Sequence, residues 1–106
     1  MAFDLSQSPE IVRLEHKLGV ELLWVFILSI LKRENCHAYI LRKKISDQFG
    51  FLPGNVSAYV VLYKLETRGF VKTTTEGNRV VYSITDSGKK LLDMAKKKIA
   101  AKSDSL

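Results

Sequence analysis

The 106-residue sequence predicts an α+β fold that is mostly α, a winged helix-turn-helix with an added N-terminal helix and a C-terminal dimerisation helix. Three observations carry that expectation. Apolar residues recur at helical spacing in four successive segments, with a break rich in glycine and proline (Gly50 to Gly54) between the third and the fourth. Two β-branched and aromatic stretches then flank Thr75-Glu76-Gly77-Asn78, the signature of a hairpin. A last helical pattern follows Thr85, a good capping residue. One domain spans 1–106 in this reading: a leading helix at 8–19, the winged-helix core at 20–84 and a C-terminal helix at 85–100.

Taken in order, Ser8-Pro9 is a helix start, with a capping hydroxyl before a proline at the first helical position. Ile11, Leu14 and Leu18 continue it to Gly19. The second helix, about Val20 to Arg33, is apolar nearly all round, which predicts burial on more than one side, the second side against another subunit. The third runs from Ala38 to Phe49, with Leu41 and Ile45 on one face and Arg42, Lys43, Lys44 and Gln48 on others. A fourth is expected from a cap at Asn55 or Ser57 to Arg68, stopping at Gly69. Strands at 70–74 and 79–84 make the wing. In the last helix Leu91, Leu92, Ala95 and Ile99 alternate with lysines, and Ala101 to Leu106 reads as a frayed tail.

Charge narrows the partners. The chain carries +6 overall; residues 1–35 balance at −1 and the remainder at +7. A basic C-terminal two-thirds suits a polyanion bound through phosphate neutralisation, so double-stranded DNA is the first partner to consider. Cys36 is the single cysteine, which excludes an internal disulfide and fits a reducing, cytoplasmic home. The apolar run Leu22 to Leu31 is about half the roughly 20 residues that cross a bilayer, so no membrane is expected. Asp4, Glu10 and Glu15 occupy the place of a basic leader, so no export is expected either.

The candidate site lies on the fourth helix. Ala58, Leu62 and Leu65 share one face and read as core, which turns Val56, Ser57, Val60, Tyr63, Lys64 and Thr67 outward. Two valines and a tyrosine do not belong on a merely solvated face. Valine methyls can meet thymine methyls and Tyr63 can bond a phosphate, so the face reads as a recognition surface. The expected DNA-binding set is Arg42, Lys43, Lys44, Asn55, Ser57, Tyr59, Val60, Tyr63, Lys64 and Arg79. In it the basic triplet and Arg79, placed at the base of the hairpin, hold phosphate. The expected dimer interface is Leu22, Trp24, Phe26, Leu91, Leu92 and Ile99, because their apolar surface exceeds what a monomer of this size should leave in water.

Catalysis is not expected. His16 and His37 lie on different elements, and no carboxylate cluster, phosphate loop or nucleophile elbow accompanies them. Cys36 and His37 alone do not make a metal site, and no cofactor is implied. Trp24 and Phe26 could line an effector pocket, but on an apolar helix they read first as core, so a small-molecule effector has no support. Winged helices also serve as protein-docking modules, and Val56 and Val60 on the outer face are the best argument for that alternative.

Three stretches carry a family likeness. In "ILSILKRENCHAYILRKKI" the step His37-Ala38-Tyr39 looks like a histidine-glycine-tyrosine entry into a helix, with alanine in place of the glycine. In "SAYVVLYKLETRGFV", Tyr59, Leu62, Leu65, Glu66 and Gly69 stand at the matching spacing, and "NRVVYSITDSGKKLL" supplies Arg79, Tyr82, Thr85 and Gly88. From about Leu22 to Leu92 the chain thus resembles the PadR-like winged-helix transcriptional regulators. The resemblance implies a homodimer formed by terminal helices, an inverted-repeat operator and a repressor's role.

Overall fold

The computed structural model describes residues 4–106. After a 3-10 turn at Leu5–Gln7 the order is α1 (Pro9–Glu21), α2 (Leu23–Arg33), α3 (Ala38–Phe49), α4 (Asn55–Thr67), β1 (Val71–Glu76), β2 (Arg79–Ile84) and α5 (Asp86–Asp104). This is the α+β, mostly helical winged-helix order that the sequence predicts.

Ser8 caps α1, its Oγ accepting the Ile11 N–H at 3.3 Å with Pro9 at the first helical position. Gly19 does not end the helix. It is a point of close approach, where an added Cβ would lie 2.3 Å from Cδ1 of Phe51, so the absence of a side chain lets α1 settle against the turn between α3 and α4. The break comes instead at Leu22, whose backbone (φ −95, ψ 9) separates α1 from α2.

α2 is the axis of the core. Ile27 and Leu28 are fully buried, and the helix touches α1, α3, α4, α5 and β2. Most of its apolar surface is therefore covered within one chain, while Leu22 and Trp24 line, with Leu91, Met94 and Ile99, an open apolar groove between α2 and α5. Leu92 joins the same core at 3% exposure and is withdrawn from the predicted dimer interface. Phe26 turns to its own chain, stacking on Phe49 with ring centroids 4.2 Å apart. Leu22, Trp24 and Leu91 are half-buried around the core, and Ile99 is exposed.

α3 keeps its predicted bounds and stops at Gly50 in the left-handed region. α4 begins with Gly54 as its extended N-cap and makes no side-chain capping bond; Asn55 is the first helical residue, which corrects the expectation of an Asn55 or Ser57 cap. The wing pairs Val71 with Ile84 through to Glu76 with Arg79. Its turn is therefore the two residues Gly77-Asn78, and only Gly77 needs a positive φ (61°). Arg79 stands next to that turn, at the tip of the wing and not at its base. Cys36 and Tyr82 exchange two backbone hydrogen bonds (3.2 and 2.9 Å), an antiparallel bridge that ties β2 to the chain entering α3.

Thr85 caps α5, accepting the Gly88 N–H at 3.1 Å and donating to the Gly69 carbonyl at 2.6 Å. The helix runs on to Asp104, past the expected frayed tail, because Ala100, Ala101 and Lys102 are strong helix formers. Its last third and α1 project from the body. The Cα radius of gyration is 15.5 Å, against about 13 Å for a compact chain of this length. Among the described residues no helix is long and apolar enough to cross a membrane.

Candidate nucleic-acid interface

Burial divides α4 as its sequence pattern requires. Ala58, Leu62 and Leu65 pack inward against α2, α3 and β1, while Asn55, Val56, Ser57, Tyr59, Val60, Tyr63, Lys64 and Thr67 are all exposed. Val56 at 77% and Tyr63 at 68% stand almost wholly in solvent. The outer face thus offers valine methyls, an amide, two hydroxyls, two phenols and a cation on one rigid helix. Its two edges have different neighbours. Tyr59 faces the wing and the start of α3, whereas Lys64 borders an open cavity of about 490 Å³ with Trp24, Glu21 and Arg68.

The turn that aims α4 is held by a residue for which the sequence suggests another role. Arg42 donates from Nε and Nη2 to the Pro53 carbonyl at 3.0 and 2.8 Å. Pro53 is itself fully buried, so the guanidinium satisfies a carbonyl that water reaches poorly. The reading of Arg42 as a phosphate contact gives way to one as the brace of the turn. Lys44 pairs with Glu34, the C-cap of α2, and both side chains stay partly exposed. Lys43 is exposed and has no ion-pair partner among the described residues. Arg79 and Glu76 face each other across the wing's turn, yet among the described residues no ion pair joins them, and Arg79 stays exposed.

Three residues near this surface escaped the sequence reading as site residues: His37, Tyr39 and Tyr82. With Tyr59 and Arg79 they line a second open cavity, of about 390 Å³, between α3, α4 and β2. Burial and the charge of Glu66 raise the Tyr82 pKa, so its phenol stays protonated. Cys36 lies beneath, and burial pushes its thiol up to about 11, which makes it inert at neutral pH. Among the described residues no group of three or more histidine, cysteine, aspartate or glutamate side chains could hold a metal ion.

Comparisons with known proteins bear on this arrangement. Among curated protein sequences there is no significant match. Many solved structures share the fold, and three illustrate it. A transcriptional regulator from Clostridium thermocellum is 20% identical, with 84% of this chain and 93% of that one covered and a TM-score of 0.77. A PadR family transcriptional regulator from Eggerthella lenta is 22% identical over 96% and 89%, also at 0.77. A PadR-like transcriptional regulator from Bacillus cereus is 24% identical over 84% and 91%, at 0.74. The model of the PadR-like family of transcriptional regulators matches residues 27–94, from the middle of α2 to the middle of α5, and the chain belongs to that family.

Proposed function

We propose that the protein is a sequence-specific DNA-binding regulator that acts as a homodimeric repressor at an inverted-repeat operator. The observation that carries this reading is the outer face of α4. A helix whose other side is fully packed exposes Val56, Val60 and Tyr63 beside Ser57 and Lys64, which is chemistry for thymine methyls, base edges and phosphates together. Lys43 and Arg79 would neutralise phosphates on either side. For the dimer, support comes from the projecting helices. Val12, Leu14, Leu18 and Val20 on α1 and Met94 and Ile99 on α5 are exposed, an apolar surface that a two-fold partner would cover. Such a partner would set two copies of α4 to half-sites about one helical turn apart.

The test is a salt series of fluorescence-anisotropy titrations on the duplex upstream of the protein's own gene and on a scrambled duplex of equal length. Tighter binding to the upstream DNA, falling steeply with salt, is expected, and Lys64→Ala should weaken it without altering the unfolding midpoint. Equal binding to both duplexes would replace this reading with an architectural role. One observation favours a second reading, a winged helix that docks a protein: Val56 is 77% exposed without DNA. Absence of salt-dependent binding to either duplex would favour it.

A further inference from the structure

The turn from Gly50 to Gly54 decides where α4 begins, and few bonds hold it. Gly54 caps α4 without a side-chain bond, and Arg42 holds the Pro53 carbonyl at the far end. Among the described residues Phe51 and Leu52 make no hydrogen bond, and Leu52 is 62% exposed. Packing must therefore place the first half of the turn. Phe51 is the side chain there that packs, against the edge of the core.

Its other partner is the backbone of α1. Gly19 is the one buried residue of that helix. A Cβ built on it would lie 2.6 Å from Cγ and 2.7 Å from Cε1 of Phe51, where carbon atoms rest about 3.5–4.0 Å apart. The ring thus fills the notch in which a side chain would stand. Elsewhere α1 reaches little of the body: Val12, Leu14, Leu18 and Val20 are exposed, and its main contacts beyond the 3-10 turn are with α2. Beside the notch lies an open cavity of about 310 Å³, with Leu18, Leu22, Phe26 and Phe49 in its lining. The ring can swing into that space without disturbing the buried core. One aromatic side chain, four residues ahead of Asn55, therefore joins α1 to the start of the outward-facing helix.

We propose that Phe51 is a positioning residue for DNA binding: seated in the Gly19 notch, it passes the placement of α1 to the first turn of α4, where Val56, Ser57 and Val60 stand. The inference rests on the DNA-binding reading above and deepens it. The ring faces α1 and the core edge, so it acts through α4 and not by touching the duplex. Contacts to base edges have narrow limits of distance and angle, so a small displacement of α4 costs sequence-specific affinity and leaves phosphate contacts nearly intact. The matched family stretch is 27–94, so this control over α4 enters from a segment outside it.

A double-mutant cycle of Gly19→Ala and Phe51→Ala tests the coupling. Three quantities are read: affinity for the upstream and the scrambled duplex, the urea midpoint, and the amide NMR signals of Asn55, Val56 and Ser57 without DNA. Alanine favours a helix interior over glycine, so Gly19→Ala does not weaken α1 itself; its methyl has to push the ring away by about 1 Å. Upstream affinity should fall about tenfold, the equivalent of one lost base-pair contact, with scrambled binding held and the three amides shifted. In the Phe51→Ala background, where the notch holds no ring, the same Gly19→Ala should change upstream affinity less than about twofold. If Gly19→Ala does not fold, Phe51→Ala alone decides: a lower upstream affinity with scrambled binding held supports the role, and unchanged affinities overturn it. Losses that add in the double variant, or upstream affinity at the wild-type value in both single variants, would overturn the positioning role and leave the DNA-binding reading intact. A wild-type chain that binds neither duplex overturns both, and shifted amides would then show a mechanical link between α1 and α4 with no role in binding DNA.

Discussion

In α2 apolar side chains run round the helix because five neighbouring elements bury it; in α4 they run round it although one whole face lies in solvent. The same sequence signature has two causes. Ile27, Leu28, Ile30 and Leu31 are all at 2% exposure or less, and burying a side chain of that size stabilises a fold by about 1.5–3 kcal/mol. Val56 and Val60, at 77% and 45%, hold back most of that contribution. Periodicity reports the polarity around a helix and not what surrounds it. Exposure separates the two cases: α2 is spent on the fold, and α4 leaves apolar surface in solvent.

Unfolding should separate the helices most widely. Leu28→Ala removes a fully buried side chain from the axis of the core and should lower stability by about 2–5 kcal/mol. In urea this reads as a lower midpoint with little change in slope. A loss below about 1 kcal/mol would mean that α2 can be repacked and that the contrast with α4 is weaker than its burial implies.

Arg42→Ala acts between the two helices and should be the next largest. It deprives the buried Pro53 carbonyl of both guanidinium donors, a cost of about 1–3 kcal/mol, and frees the turn that aims α4, so DNA affinity should fall with stability. Arg42→Lys sharpens the point. It keeps the charge and loses the paired geometry, so a brace predicts that the lysine variant stays impaired. Wild-type stability and binding in Arg42→Lys would return Arg42 to the phosphate contacts.

The arrangement of elements was legible because local signals agree with one another. The Gly50 stop of α3, the Gly77-Asn78 turn and the Thr85 cap each fix a boundary through backbone geometry close in sequence. The inner face of α4 was legible for the same reason, since Ala58, Leu62 and Leu65 fall on one side by spacing alone. What failed depended on distant partners. Gly19 looks like a helix stop until Phe51, 32 residues away, is seen against it. Arg42 and Lys44 look like open cations until the Pro53 carbonyl and Glu34 arrive beside them. The breadth of α2 does not by itself say how much of the helix β2 and α5 cover. His37, Tyr39 and Tyr82 were passed over because no single element holds them together; the Cys36–Tyr82 bridge does.

Val60→Ala closes the comparison with the smallest effect on the fold and a distinct one on binding. Val60 is 45% exposed on the outer face of α4, so truncation should shift stability by no more than about 0.5 kcal/mol. If its methyls enter the major groove, their loss withdraws apolar contact on the scale of about 0.8 kcal/mol per carbon, roughly tenfold in affinity for the upstream duplex. Binding to the scrambled duplex should hardly change, because that rests on phosphates. The ratio of the two affinities is thus the informative quantity. A ratio that falls while the urea midpoint holds would show that α4 keeps its valines for reading DNA. A midpoint that falls with the ratio unchanged would make Val60 part of the fold, and α4 would then differ from α2 only in degree.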